Sequence, residues 1–324
     1  MRWWFLLGIL VSGSIQAESE VSDLCAGWRQ HEANPLIVPP PGEWMIADPT
    51  FLPPMGTPDG RWHLFAHSLL GLHHYVGEDG QQWERIAGPL RFGALRPFLL
   101  VSGDTYYLYY EQFTSPLASE IRVSSSADLS TWSAPTTVLR PQYPWERRLQ
   151  ATNGNPFVLA RGGKYYLYFS AGSIFLPDAL YFEPRYLGLA VADHPEGPFT
   201  KLPEPILSPE PGHPYFSQGR GSIKILPPFP GNPGVLALHN AMYRDAAGHS
   251  RSAIHVLASA DGVHFEPVCS EPILAPEVSK PWQRAFVYAF DARVHDARLW
   301  LYFNARSGWF IGREQLGLAW HSWP

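Results

Sequence analysis

The chain has 324 residues, 16% of them charged and 14% aromatic, with 33 prolines, 28 glycines and a formal net charge of −5 at neutral pH. No run or stripe of Lys and Arg interrupts this mild acidity, which argues against nucleic acid as a partner. Proline and aromatic content favour extended structure over helix, while length alone would allow about two domains.

In chain order, Met1-Arg2 and the apolar run Trp3 to Val11 fall far short of the roughly 20 residues that a membrane span needs. With Ile15-Gln16-Ala17 ahead of Glu18, this start predicts a secretory signal over residues 1–17 and a secreted or periplasmic mature chain without a span. The two cysteines are Cys25 and Cys269. In an exported chain such a pair suits a disulfide, here tying the segment before the first repeat to the place where a ring would close; two buried thiols would look the same in sequence. Two cysteines are too few for structural zinc, and no ligand-spaced cluster stands out, so the residues call for no metal or other cofactor.

From residue 34 a two-part phrase returns five times. Asn34-Pro35-Leu36-Ile37 leads to Ala47-Asp48-Pro49-Thr50, Gly88-Pro89-Leu90 to Arg96-Pro97-Phe98, and Thr137-Val138-Leu139 to Asn155-Pro156-Phe157. Glu204-Pro205-Ile206-Leu207 leads to Gly221-Ser222-Ile223, and Glu271-Pro272-Ile273-Leu274 precedes the last, around Asp291-Ala292-Arg293. An aromatic or aliphatic strand follows each start, as in Thr105 to Tyr109, Lys164 to Tyr168 and Arg298 to Tyr302. Four units then close on an acidic or glycine turn and an aromatic, for example Asp79 with Trp83, Asp128 with Trp132 and Asp261 with Phe265. A repeat of roughly 50 to 65 residues made of short strands and Gly/Pro/Asp turns is one four-stranded blade of a propeller. Five repeats predict an all-β, five-bladed β-propeller of antiparallel blades around a central funnel, filling one domain over residues 18–324.

Ala47-Asp48-Pro49-Thr50, Tyr165-Tyr166-Leu167-Tyr168 and above all Leu187-Gly188-Leu189-Ala190-Val191-Ala192-Asp193 with Pro195-Glu196-Gly197-Pro198-Phe199 resemble glycoside hydrolase family 43. The similarity extends to the wider group of five-bladed propeller glycosidases, including the invertase, levansucrase and mannoside phosphorylase families. It runs over nearly all of the mature chain and implies the propeller fold and action on a carbohydrate. In that family an aspartate of the first blade is the general base, or the nucleophile in retaining relatives, and Asp48 matches its motif.

Strand polarity says which residues share the funnel. An inner strand begins, and its antiparallel neighbour ends, at the same face. Strand beginnings place Asp48, Arg96, Asn153 with Asn155, Arg220 and the stretch Tyr288 to Asp291 there; strand ends place His67, Glu111, Ser170, His239 with Asn240, and Asn304 with Arg306. So many polar groups converging on an axis are costly unless water or a ligand satisfies them. The arginines, histidines and asparagines are the expected substrate contacts. Asp48 could also be an Asx cap at a strand start.

A glycosidase normally needs a second carboxyl group, and here the chain departs from the family pattern. The aspartate that tunes the family's acid is replaced by Arg96 and Asn155 at equivalent places, and no inner strand of blades three or four carries the acid glutamate. Glu111 is the best-placed substitute, Asp291 a further catalytic candidate, and Glu183 lies in a long excursion from Ser173 to Arg185 that suits a lid. A one-residue slip would turn Asp291 off the axis. Arg96, Arg220, His67, His239 and Arg306 could instead hold an anion, either phosphate or an acidic sugar. Pro144-Trp145-Glu146-Arg147 and Pro281-Trp282-Gln283-Arg284 offer a tryptophan and an arginine for the funnel rim, or stacking between blades. The expectation is a secreted glycoside hydrolase with Asp48 as base or nucleophile. The alternatives are a non-catalytic glycan-binding propeller and a phosphorylase or transglycosylase with an Arg/His anion site.

Overall fold

A computed structural model of the protein describes residues 23–229, 232 and 234–324. The proposed signal, residues 1–17, lies outside them. A two-residue strand, β1 (Arg29–Gln30), precedes the first blade, which comprises β2 (Ala47–Leu52), β3 (Trp62–Ser68), β4 (Gly71–Gly77) and β5 (Glu84–Ala87). The second blade is β6 (Ala94–Ser102), β7 (Thr105–Ser115), β8 (Ala118–Ser126) and β9 (Thr136–Leu139); the third is β10 (Asn153–Arg161), β11 (Lys164–Leu176), β12 (Tyr181–Ala192) and β13 (Thr200–Lys201). The fourth is β14 (Gly219–Ile225), β15 (Val235–Arg244), β16 (Ser250–Ser259) and β17 (Glu266–Pro267). The last consists of β18 (Phe286–His295), β19 (Arg298–Arg306) and β20 (Glu314–Ser322), with β1 as its outer strand. These are five separate four-stranded sheets, every pairing within them antiparallel, so the chain is a five-bladed β-propeller. No helix among the described residues is long and apolar enough to cross a membrane.

The ring closes through the last blade, where Arg29 pairs with Trp320 and Gln30 with Ala319. Beside this closure Cys25 is bonded to Cys269 across a sequence separation of 244 residues.

Between blades the core is aromatic and aliphatic, and its repeats share devices. The acidic turns cap themselves: Asp79 accepts from the backbone N–H groups of Gln81 and Gln82, Asp128 from Ser130 and Thr131, and Asp261 from Val263 and His264. Trp145 stacks on Phe169 and donates to the Pro203 carbonyl, and Trp282 packs on Phe303. Both tryptophans sit over a glycine of a third strand. A Cβ on Gly188 would stand 2.7 Å from Trp145, and one on Gly317 2.4 Å from Trp282. The repeated Pro-Trp motifs therefore pack the blades, and the third-strand glycines exist to admit them.

Candidate active site

Each innermost strand carries the same defect near its start. Pairing of β2 with β3 jumps from Ala47↔His67 to Thr50↔Phe65, and equivalent jumps follow Leu95, Gly154, Arg220 and Val287. Such a jump is a bulge: one extra residue that turns a side chain out of the alternation of the sheet. The residue placed first in each bulge is Asp48, Arg96, Asn155, Gly221 and Tyr288, and all five line one central chamber. In the first three blades this residue precedes a proline and has φ of 50, 52 and 45° respectively. Left-handed backbone is tolerable for Asp and Asn but strained for Arg. The bulge thus brings one residue per blade to the axis, a side chain in four blades and the bare backbone of Gly221 in the fourth.

Around this ring stand His67, Asn240 and Asn304 from the second strands, Tyr181 and Glu183 from β12, and Glu314 from the start of β20. The cavity between them is small, about 60 Å³. Beneath the ring the axis is stopped by Pro49, Pro97, Pro156 and Lys224. Lys224 Nζ lies 4.7 Å from the ring centre of Phe98 and 5.3 Å from that of Phe157. Burial draws the lysine down to about 8.

Asp48 is the most heavily organised group. Its Oδ2 receives His67 Nε2 at 2.5 Å, its backbone N–H donates to Asn304 Oδ1 at 3.2 Å, and Arg96 Nε lies 4.0 Å from Oδ2. The other His67 nitrogen faces the Ser68 carbonyl at 3.1 Å. Burial would raise the Asp48 carboxyl, but the His67 hydrogen bond and the charges of His67, Arg96 and Lys224 prevail and hold it below the ordinary aspartate range.

Glu183 and Glu314 are driven the other way. Burial is the chief cause for both. Arg96 opposes it at Glu183, whereas Glu314 and Asp48 add to it, and the carboxyl rises to about 8. Glu314 rises to about 7 despite Arg306, with Asp48 adding to the effect of burial; its Oε2 accepts from Asn304 Nδ2 at 3.1 Å. One chamber therefore holds a carboxyl group pushed below its ordinary range beside two pushed above theirs.

The structure gathers Asp48, His67, Arg96, Asn155, Asn240 and Asn304 of the expected residues around this space. It places the others elsewhere. Arg220 points outward, bonded to the Ser208 carbonyl and Glu210 and stacked on Phe216; Gly221 takes the axial place, and Asn240 Oδ1 occupies the volume that a side chain on Gly221 would need. Asp291 is turned away by the same one-residue offset and instead accepts from Thr50 Oγ1, the Phe51 N–H and Arg293, fastening the first blade to the last. His239 is buried against Phe216 with Nδ1 on the Ser222 carbonyl, and Asn153 is buried between Glu146 and Lys201. Arg306 stands behind the wall over the Tyr181 ring, its Nε and one terminal nitrogen buried without a partner. Glu111 faces a side pocket between blades two and three that shares Arg96, Tyr181 and Glu183 with the chamber. It is paired with Arg96 at 2.6 Å, with its second oxygen buried and unpartnered. Glu314 went unread in the sequence. Among the described residues no group of three His, Cys, Asp or Glu is placed to hold a metal ion.

Residues 93–213 match the model of glycosyl hydrolases family 43. Among solved structures the fold is similar to a putative glycoside hydrolase from Parabacteroides distasonis, with 16% identity, TM-score 0.62 and coverage of 92% of this chain and 97% of that one. It is also similar to Zg3597, a family 117 glycoside hydrolase produced by Zobellia galactanivorans, with 20% identity, TM-score 0.57 and coverage of 92% and 91%. A third is a β-1,2-mannobiose phosphorylase from Listeria innocua, with 14% identity, TM-score 0.63 and coverage of 92% and 97%. No curated protein matches the chain by sequence. The family 43 match and the five-bladed fold support a resemblance to propeller glycosidases and a glycan-acting enzyme.

Proposed function

We propose that the protein is a secreted glycoside hydrolase that works in the central chamber, with Asp48 as general base or nucleophile and Glu183 as general acid. The observation that carries this reading is the opposed tuning of two carboxyl groups in one space, Asp48 held down and Glu183 raised to about 8. Environments that push a carboxyl pair apart assign the base and the acid. In this reading Glu183 protonates the departing glycosidic oxygen, while Asp48 takes a proton from water or attacks the anomeric carbon. His67 and Arg96 keep Asp48 charged and aimed.

The buried, unpartnered nitrogens of Arg306 beside the chamber favour one second reading, in which an anion enters as well. That anion is either phosphate as the nucleophile or the carboxylate of an acidic sugar. A panel of arabinose-, xylose-, galactose-, fructose- and uronate-linked glycans, with and without phosphate, tests both readings. Sugar release that Asp48→Asn abolishes supports the hydrolase, and release that requires phosphate supports the second. Binding without turnover across the panel, unchanged in Asp48→Asn, overturns catalysis in favour of a lectin-like propeller.

A further inference from the structure

Most of the large apolar side chains exposed among the described residues stand in loops at one end of the propeller, the end where the chamber opens. The loops are joined across neighbouring blades. Phe310 and Ile311 precede Glu314, whose N–H donates to the carbonyl of exposed Trp44. Leu69 and Leu70 are joined to the segment of Phe92 by the Gly93 N–H, which donates to the Leu70 carbonyl. Exposed Leu117 receives the Ala151 N–H, which brings it beside exposed Leu149, and the Ser173 N–H on the Arg148 carbonyl brings in the hairpin of Leu180 and Phe182. The result is an apolar circle around the mouth, broken at blade four, with Phe92 76% and Ile311 75% exposed.

Charge follows the same polarity. Exposed Arg147, Arg148, Arg284 and Arg313 alternate with the apolar side chains, while Glu210, Asp245 and Glu277 on that side are already paired with Arg220, Arg251 and Lys280. The turns at the opposite end carry Asp79, Asp104, Asp128 and Asp261, besides Asp59 and Asp193 paired with Arg61 and Lys164, and exposed Arg161 and Arg298.

We propose that the mouth of the propeller docks on an anionic lipid bilayer, its apolar circle entering the interfacial layer and its arginines meeting the phosphate headgroups. Interfacial binding takes apolar area together with cations, the combination found here. An anionic polysaccharide would use the arginines and leave exposed leucine and isoleucine without a role. A second copy through the same face would oppose arginine to arginine. Docking turns the chamber toward sugars borne on lipid headgroups; that consequence rests on the glycan-acting reading, whereas docking does not.

The test is cosedimentation of the full protein with phosphatidylglycerol–phosphatidylcholine vesicles, with pure phosphatidylcholine vesicles and with soluble polygalacturonate, at low and high salt. The comparison variant is Phe92→Ser with Leu149→Ser and Ile311→Ser, and the control is Met55→Ser, an exposed apolar change at the opposite end. The expected result is salt-sensitive binding to the anionic vesicles that falls at least about tenfold in the triple variant and is unchanged in the control. Failure to bind anionic vesicles at low salt, equal binding by the triple variant, or binding to polygalacturonate alone would each overturn the proposal. Because no substrate is involved, this outcome is independent of whether the chamber hydrolyses glycans.

Discussion

Asp48 and Glu183 differ less in chemistry than in surroundings, and their titration should show it. On the proposed mechanism, kcat/KM falls as pH rises through about 8, where Glu183 loses its proton, and the acid limb lies below the ordinary aspartate range because Asp48 is held there. Glu183→Gln should remove the alkaline limb, and substrates whose leaving groups need no protonation should partly restore its rate. Asp48→Asn should lower turnover about 10²- to 10⁴-fold without rescue. Stability supplies a second readout. Glu183 is raised from 4.5 to about 8 on folding, so the native state binds the extra proton in that window. The stabilisation is complete below pH 4.5 and is lost as pH rises through 8, at up to about 1.4 kcal/mol per pH unit. Denaturant titrations across pH 5 to 8 should show this slope in the native protein and a shallower one in Glu183→Gln.

The bulge that turns one residue per blade toward the axis also explains which parts of the site were legible in sequence. Asp48-Pro49, Arg96-Pro97 and Asn155-Pro156 announce the bulge by their proline, and all three bulge residues line the chamber. Gly221-Ser222 and Tyr288-Ala289 have no such mark. Arg220, one residue before its bulge, ties instead to the segment that leads into its own blade, and Asp291, beyond its bulge, fastens the first blade to the last. Glu314 lies on a third strand, and Glu183 lies on the third strand of its blade, in the long extension of the β11–β12 hairpin where it pairs with Ile174. How far such elements reach inward depends on loop length and packing, for which the repeat carries no signal. The repeat count, the blade order and the aromatic second strands needed no such detail and were plain from the sequence. Two glycines give element-scale tests. Gly317→Ala should destabilise the protein by about 1–3 kcal/mol by forcing Trp282 aside, measured by chemical denaturation. Gly154→Ala would set a methyl 2.0 Å from Glu111 Oε2; it should therefore break the Arg96–Glu111 pair and lower activity far more than it lowers stability.

Over the whole molecule, the bond between Cys25 and Cys269 holds the ends of the ring together. In the chain-entropy account, a loop of this length contributes about 5 kcal/mol. Non-reducing mass spectrometry should find no free thiol, and reductant or the Cys25→Ser, Cys269→Ser double variant should lower the melting temperature. Two free thiols in the native protein would contradict the structure.

The pairing of β1 with β20 also sets a timetable. Arg29 is made 291 residues before its partner Trp320. At about 5–20 residues per second, the first strand waits about 15 to 60 s for the last. During that interval four blades can form while both flanks of the unfinished ring lie open, so the growing polypeptide passes through its most aggregation-prone stage before the final hairpin leaves the ribosome. Synthesis of the strand that carries Trp320, rather than formation of any single blade, is the event that commits the chain to the native ring.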